Sequence, residues 1–232
     1  MITIRRSNER GQANHGWLDT RFSFSFADYF DPKFMGFRSL RVINEDVIEA
    51  GQGFPKHGHR DMEIITYVIA GELSHLDSMG NGETVRPDEV QRMTAGTGVL
   101  HSEYSSETEK THLLQIWILP EKDRLTPSYE QKFFPREEKQ GKLKLVASRG
   151  GDDGSVHINQ DVKMFSSVLN SGEKVSYNLT DKRYAWIQLI SGSLDVNGET
   201  LAAGDGAAIS SEEILRITSL QHDSEFLLFD MH

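Results

Sequence analysis

The feature that most constrains the fold is an alternation of short apolar runs with turn-forming residues along most of the chain. The runs recur about every ten residues, and three of the clearest span residues 40–48, 64–69 and 113–119. The last two are apolar at nearly every position, as expected for strands covered on both faces. Glycine-containing clusters such as residues 78–82 and 95–98 separate the runs and suit tight turns. The pattern predicts an all-β protein of antiparallel strands joined by short loops.

An internal repeat predicts two β-barrels in tandem. The sequence Asn-Gly-Glu-Thr at residues 81–84 recurs at residues 197–200, in each copy after an apolar strand that ends in a small residue and glycine. A chain of 232 residues is long enough for two domains of roughly 100–150 residues each. The polar stretch 120–141, with its charge run Arg136–Lys139, is expected to link them and to hold at most one short helix. We therefore predict that one small barrel was duplicated.

Charge and residue types exclude several functional classes. The formal net charge is −10, and no cluster of Lys and Arg is present, so nucleic acid is not an expected partner. The absence of cysteine excludes a disulfide framework and a thiol nucleophile, and it requires nitrogen and oxygen ligands for any metal. No run of about 18 apolar residues is present, so no membrane span is expected. The N-terminal sequence does not resemble a signal peptide, which predicts a cytoplasmic protein.

Two short motifs carry residues that can bind a metal ion. His57 and His59 are separated by one glycine, and His101 and Glu103 by one serine. Residues two apart on an extended backbone project from the same face, with Cα atoms about 6.6 Å apart. If the two motifs lie on neighbouring strands, their four side chains can reach one ion at about 2.0–2.2 Å. The motifs predict one divalent metal site, whose affinity should fall as the pH drops through the ordinary imidazole pKa of about 6.5.

These motifs resemble those of the cupin superfamily and, more closely, those of pirin and the bacterial pirin-like proteins. The resemblance covers nearly the whole chain and is strongest in residues 11–120. The matching stretches are Gly51-(five residues)-His57-x-His59-(three residues)-Glu63-(seven residues)-Gly71, His15-Gly16-Trp17-Leu18-Asp19, Phe24-Ser25-Phe26-Ala27 and Ala95-Gly96-Thr97-Gly98-Val99-Leu100-His101-Ser102-Glu103.

The resemblance implies a bicupin fold, which consists of two tandem antiparallel double-stranded β-helix (jelly-roll) barrels. The metal-binding barrel would occupy residues 1–130, and a cupin-like barrel without metal ligands would occupy residues 131–232. One divalent metal ion would lie in the first barrel, with ligands at the positions of His57, His59 and His101 and of Glu103.

Other polar residues near the motifs are expected to have different roles. Glu63 lies about 13 Å beyond the second histidine along a straight strand, so we expect an outer-shell or structural carboxylate and not a ligand. His75 and Asp77 are also two residues apart, but they precede a turn, and a polar edge is favoured over a metal role. In the second barrel Asn178 and Thr180 stand where the first has two histidines.

The resemblance implies a dioxygenase that opens the central ring of a flavonol such as quercetin and releases carbon monoxide. Its substrates would be a small aromatic compound and O₂, and Fe, Mn, Co, Ni, Cu and Zn all suit the ligand set. Glu103 would also be the catalytic proton acceptor, although a ligand that takes a proton must loosen its bond to the metal. Two alternatives stay open: a metal-binding regulatory module that interacts with other proteins without turnover, and an isomerase in which the ion polarises a carbonyl.

Overall fold

The computed structural model describes residues 1–180 and 182–232, which are built almost entirely from β-strands. The first twelve strands are β1 (Ile2–Arg5), β2 (Gly11–Asn14), β3 (Leu18–Phe22), β4 (Leu40–Ile48), β5 (Gly53–His59), β6 (Glu63–Ala70), β7 (Leu73–Asp77), β8 (Gly82–Val85), β9 (Glu89–Thr94), β10 (Val99–Ser105), β11 (Thr111–Ile118) and β12 (Ser128–Phe133).

The remaining elements are α1 (Arg136–Lys139), β13 (Lys144–Ser148), β14 (Val156–His157), β15 (Val162–Leu169), β16 (Lys174–Asn178), β17 (Tyr184–Ser191), β18 (Ser193–Val196), β19 (Glu199–Ala202), β20 (Gly206–Ile209), β21 (Ile214–Ser219) and β22 (Ser224–Met231). Two 3-10 turns, Ser7–Glu9 and Asp152–Gly154, complete the elements. The all-β prediction is confirmed. Within the described part of the chain, no helix is long and apolar enough to cross a membrane.

The N-terminal unit comprises Gly11–Phe134 and Val156–Gln160. Its larger sheet has the strand order β12-β9-β6-β11-β4-β3-β2, and its smaller sheet has the order β5-β10-β7-β8. The apolar runs predicted as strands are β4, β6 and β11, which are adjacent in the larger sheet. Leu73, Val85 and Leu113 are among the fully buried apolar residues of this unit. The expected link at residues 120–141 is wrong in part, because Ser128–Phe133 form β12 and pair with β9.

The C-terminal unit comprises Met1–Arg10, Pro135–Ser155 and Asp161–His232. Its larger sheet contains the order β1-β20-β17-β22-β15-β13, and its smaller sheet has the order β16-β21-β18-β19. Strands β15 to β22 therefore pair with one another in the same order as β4 to β11. The two Asn-Gly-Glu-Thr copies lie at the turns of the equivalent hairpins β7–β8 and β18–β19. The predicted pair of barrels is confirmed, and the two have matching strand orders.

Candidate metal centre

Strands β5 and β10 bring the two predicted motifs together in the smaller sheet of the N-terminal unit. The strands are antiparallel neighbours, and His101 lies directly opposite His57. The register shifts between His101 and Glu103, so that Glu103 pairs with Phe54. The two residues of β5 inside this shift include Pro55, which has no N–H to donate to the sheet. The bulge therefore lies on β5, where Pro55 and Lys56 oppose the single residue Ser102 of β10.

A glycine allows the close approach of these strands beyond the bulge. A Cβ atom at Gly53 would lie 2.1 Å from the backbone oxygen of Glu103 and 2.6 Å from the Cα of Tyr104. Both atoms belong to the backbone of β10 and cannot move aside as a side chain could. Any larger residue at Gly53 would push β5 away from the strand that carries His101 and Glu103.

The imidazoles of His57, His59 and His101 form a cluster. Each offers a nitrogen, and these three atoms lie within 4.8 Å of one another. The Nε2 atoms of His57 and His101 are 3.0 Å apart. Two ligands bound at right angles to one ion at about 2.1 Å would have a similar separation, about 3 Å. The His57–His101 pair therefore has the spacing of two ligands bound to one ion.

Hydrogen bonds orient the rings of this cluster. Nδ1 of His57 lies 2.9 Å from the backbone oxygen of Pro55, to which it can donate a hydrogen bond, so that the lone pair of Nε2 faces the cluster. Nδ1 of His101 is 3.5 Å from Nδ1 of His75, and Nε2 of His75 is 3.1 Å from Oδ2 of Asp77. His75 and Asp77 thus lie behind His101 as a buried pair and not at an exposed polar edge, as the sequence had favoured.

Glu103 lies beside the cluster with one oxygen held and the other unpaired. Its Oε2 accepts a hydrogen bond of 3.2 Å from Nε2 of Gln115. Its Oε1 is 4.0 Å from Nδ1 of His75, and it is buried without a hydrogen-bond partner among residues 1–180 and 182–232. A buried unpaired carboxylate oxygen is costly unless a cation or hydrogen-bond donor meets it. This orphaned oxygen suits a metal ligand. In the structure Glu103 groups with His75 and His101 as potential ligands, whereas His57 and His59 group with His101 alone.

Protonation states also suit metal binding. Burial, together with repulsion from the imidazoles of His101 and His57, lowers the pKa of His59 to about 4. Burial also lowers the pKa of His101 to about 4, although the carboxylate of Glu103 acts in the opposite direction. Burial opposes ionisation of Glu103, but the neighbouring imidazoles, His75 first, hold the pKa of that carboxyl below its usual range. At neutral pH the site therefore presents neutral imidazoles at His59 and His101 and a carboxylate at Glu103. The pH at which protonation of these two imidazoles weakens metal binding is correspondingly lower than for an ordinary imidazole.

A pocket of about 590 Å³ opens onto this cluster, a volume typical of small-molecule sites. His57, His59 and Glu103 line it. So do five aromatic side chains: Trp17, Phe22, Phe26, Phe54 and Trp117. The ring of Trp117 packs edge-on against the imidazole of His59, with ring centroids 4.9 Å apart. A flat aromatic ligand in this pocket would therefore contact the aromatic side chains as well as the candidate metal ligands.

Glu63 serves a structural role in the same unit. Its side chain is fully buried at the start of β6. Its Oε2 accepts hydrogen bonds from the Thr94 hydroxyl at 3.1 Å and from the backbone N–H of Asn159 at 3.2 Å. Its Oε1 accepts a hydrogen bond from the Asn159 amide at 3.3 Å. Glu63 therefore ties the segment Val156–Gln160 to β6, which agrees with the expected structural carboxylate.

Known proteins match the chain over nearly its full length. The Pirin family profile matches residues 3–118, and the profile described as the quercetinase C-terminal cupin domain matches residues 145–231. The chain is 51% identical over 232 residues to quercetin 2,3-dioxygenase of Escherichia coli strain K12, covering 100% of this chain and 99% of that protein. It is 42% identical to a pirin-like protein of Caulobacter vibrioides, with 99% of each covered.

A solved structure extends the match to three dimensions. The crystal structure of bacterial pirin YhhW from Escherichia coli in complex with nickel(II) has a TM-score of 0.94 at 50% identity, covering 100% of this chain and 99% of that chain. Both cupin domains of the predicted bicupin fold are thus matched. As the motifs around the histidines predicted, the chain belongs to the pirin family.

Proposed function

We propose that this protein is a metal-dependent dioxygenase that opens the central ring of a flavonol such as quercetin, consuming O₂ and releasing carbon monoxide. The observation that carries the proposal is a cluster of three imidazoles beside an aromatic-lined pocket, whose wall includes His57, His59 and Glu103. The expected quercetin 2,3-dioxygenase-like enzyme agrees with the 51% identical relative of that name. The expected cofactor, one divalent metal ion, agrees with the nickel(II) complex of the Escherichia coli relative.

In this proposal His57, His59, His101 and Glu103 hold the ion. A divalent ion at this position supplies Lewis acidity that lowers the pKa of a substrate hydroxyl. His75 keeps the ring of His101 in place from behind, and Asp77 in turn holds His75. Outer partners of this kind fix the tautomer and orientation of a ligating imidazole.

Glu103 is also the proposed proton acceptor. Gln115 holds Oε2, which leaves the unpaired Oε1 as the atom that can face an ion or receive a proton. These two tasks compete for one oxygen, because a proton on Oε1 removes its charge. The variant Glu103→Gln separates them: turnover that survives with metal bound would show that Glu103 is not the acceptor.

The aromatic residues of the pocket have a separate task. Trp17 and Phe54 pack edge to face with ring centroids 5.3 Å apart, as do Phe26 and Trp117. Such rigid aromatic surfaces bind a planar ring system at low cost in side-chain entropy and exclude water from it. They favour an aromatic substrate over a sugar or a small acid.

The second barrel, residues 131–232, is proposed to bind no metal. Within the described residues, the clustered potential ligands all lie in the N-terminal unit and form two groups that share His101: one with His57 and His59, the other with His75 and Glu103. The proposal therefore expects one bound ion per chain, which elemental analysis of untagged protein measures. A cytoplasmic location remains a prediction from the sequence.

The test is turnover of quercetin by the metal-reconstituted protein in air. The proposal expects loss of the flavonol absorbance together with one carbon monoxide per flavonol, detected by the spectral change of a reduced haem protein. Metal-free protein and the variant His101→Ala are the matched controls and should give neither signal. If several divalent metals bind and none supports either signal, the dioxygenase proposal is wrong and the regulatory module becomes the better account.

A further inference from the structure

The pocket of the N-terminal unit contains polar side chains that the proposed metal centre does not use. Thr20 on β3, and Asn44 and Asp46 on β4, all line it, and each is at most 4% exposed. Asp46 lies opposite Thr20 in the register of β3 and β4. Asn44 is two residues from Asp46 and therefore on the same face of β4. These three residues are called the polar patch below.

One oxygen of each residue in the polar patch has no hydrogen-bond partner in the part of the chain that the structure describes. Oγ1 of Thr20, Oδ1 of Asn44 and Oδ1 of Asp46 are buried, and none has a partner of ordinary hydrogen-bond geometry among the described residues. Burial raises the pKa of Asp46 to about 7, although the nearby Thr20 hydroxyl opposes the rise. Buried polar groups in native proteins are almost always paired, with protein, water or ligand. Three unpaired groups beside a pocket point to a molecule that enters the pocket.

The atoms of the polar patch define the chemistry of that molecule. The oxygens of Asn44 and Asp46 accept hydrogen bonds, so the matching ligand group must donate one. A neutral hydroxyl can donate to Asp46 whether its carboxyl is ionised or protonated, whereas an ammonium group would need the ionised form. The surrounding Trp17, Phe22 and Phe26 favour an aromatic framework for the hydroxyl. The ligand class is an aromatic compound with more than one hydroxyl.

We infer that the polar patch, with Asp46 as its main acceptor, binds a second hydroxyl of an aromatic substrate whose first hydroxyl faces the histidine cluster. This inference rests on the proposed function, which supplies the contact at the histidines. Asp46 is then a residue that determines specificity. A site built to pair a hydroxyl discriminates strongly against an analogue that lacks it, because its own buried groups stay unpaired.

The test compares two ligands and two variants in the nickel-loaded protein without oxygen. Quercetin carries several hydroxyls, whereas 3-hydroxyflavone carries only the one expected at the histidines. Binding is measured by quenching of tryptophan fluorescence, since Trp17 and Trp117 line the pocket. Asp46→Leu removes the acceptor and keeps the number and branching of the side-chain heavy atoms, and Asp46→Asn retains an acceptor. The matched control is Glu45→Gln, the next residue on β4, whose carboxylate lies 3.0 Å from His112.

We expect Asp46→Leu to weaken quercetin binding at least about 10-fold and 3-hydroxyflavone binding less than about 3-fold. Asp46→Asn and Glu45→Gln should stay within about 3-fold of the wild type for both ligands. Nickel content and melting temperature should not fall in the Asp46 variants, which shows that they remain folded and loaded. Equal losses for the two ligands in Asp46→Leu, or no loss for quercetin, would overturn the inference.

Binding without oxygen separates this inference from the proposed function. If Asp46→Leu weakens quercetin binding selectively, as expected, but wild-type protein consumes no quercetin in air, the dioxygenase proposal is refuted and the polar patch is supported. If wild-type protein turns quercetin over and Asp46→Leu binds quercetin as well as the wild type does, the dioxygenase proposal is supported and the polar-patch inference is refuted.

Discussion

Replacement of Asp46 by Asn should stabilise the metal-free protein by an amount that grows with pH. The pKa of Asp46 is about 7 in the folded protein, against an ordinary value of 3.8. Between these values the unfolded chain loses its proton before the folded protein does, so the carboxyl reduces folding stability as the pH rises. Above pH 7 the full loss of folding stability is present, and the difference between the two pKa values corresponds to a loss of roughly 4 kcal/mol. The uncharged amide of Asn avoids this penalty.

Urea unfolding of wild type and Asp46→Asn at pH 5 and pH 8 measures this effect. The variant should be more stable by up to about 4 kcal/mol at pH 8 and by much less at pH 5. In a protein of this size the larger gap corresponds to roughly 10 °C in melting temperature. Glu45→Gln is the control and should show no comparable pH-dependent gain. A stability gap that is the same at both pH values, or a less stable variant at pH 8, would refute the assignment of Asp46 as a buried unpaired carboxyl.

Three further predictions concern the metal centre. His101→Ala should lower nickel affinity at least about 100-fold in calorimetric titration, because one imidazole of the cluster is lost; unchanged affinity would remove His101 from the ligand set. Asp77→Asn should lower nickel affinity roughly 10–100-fold with all proposed ligands intact, since His75 loses the carboxylate that orients it; equal affinity would assign the pair a purely structural role. Because the pKa values of His59 and His101 are about 4, protons compete with the metal at these two ligands only as the pH falls toward that value. Dialysed protein should retain nickel at pH 6 and lose it near pH 4, and release centred near pH 6.5 would contradict the lowered pKa values.

The sequence was sufficient for the strands with a strong apolar pattern and for the histidine motifs. β4 spans Leu40–Ile48, the range that its apolar run predicted. β12 was missed because Ser128–Phe133 is polar and only half-buried along most of its length, so it shows no clear alternation. Its place beside β9 depends on pairing with a distant strand, which local sequence does not encode.

The sequence predicted the histidine motifs of the candidate site but missed the residues whose position depends on how distant strands assemble. Spacing puts the two residues of each motif on one face of a strand, whereas the pairing of His57 with His101 depends on which strands become neighbours. Likewise, the depth of His75 and Asp77 depends on how β7 faces the interior. In the structure His75 and Asp77 share the buried face of β7 with Leu73, but the apolar Leu76 on the exposed face obscures this alternation in the sequence. Asp46 lies two positions before Ile48 on the buried face of β4. Its unpaired state could be found only from the arrangement of neighbouring strands.

The most direct test of the metal centre is anomalous diffraction from crystals of this protein grown with nickel, recorded on both sides of the nickel absorption edge. The account predicts one strong anomalous peak per chain, about 2.0–2.2 Å from nitrogen atoms of His57, His59 and His101 and from an oxygen of Glu103. A fully loaded crystal with its peak elsewhere, or with these four side chains turned away from the ion, would contradict it.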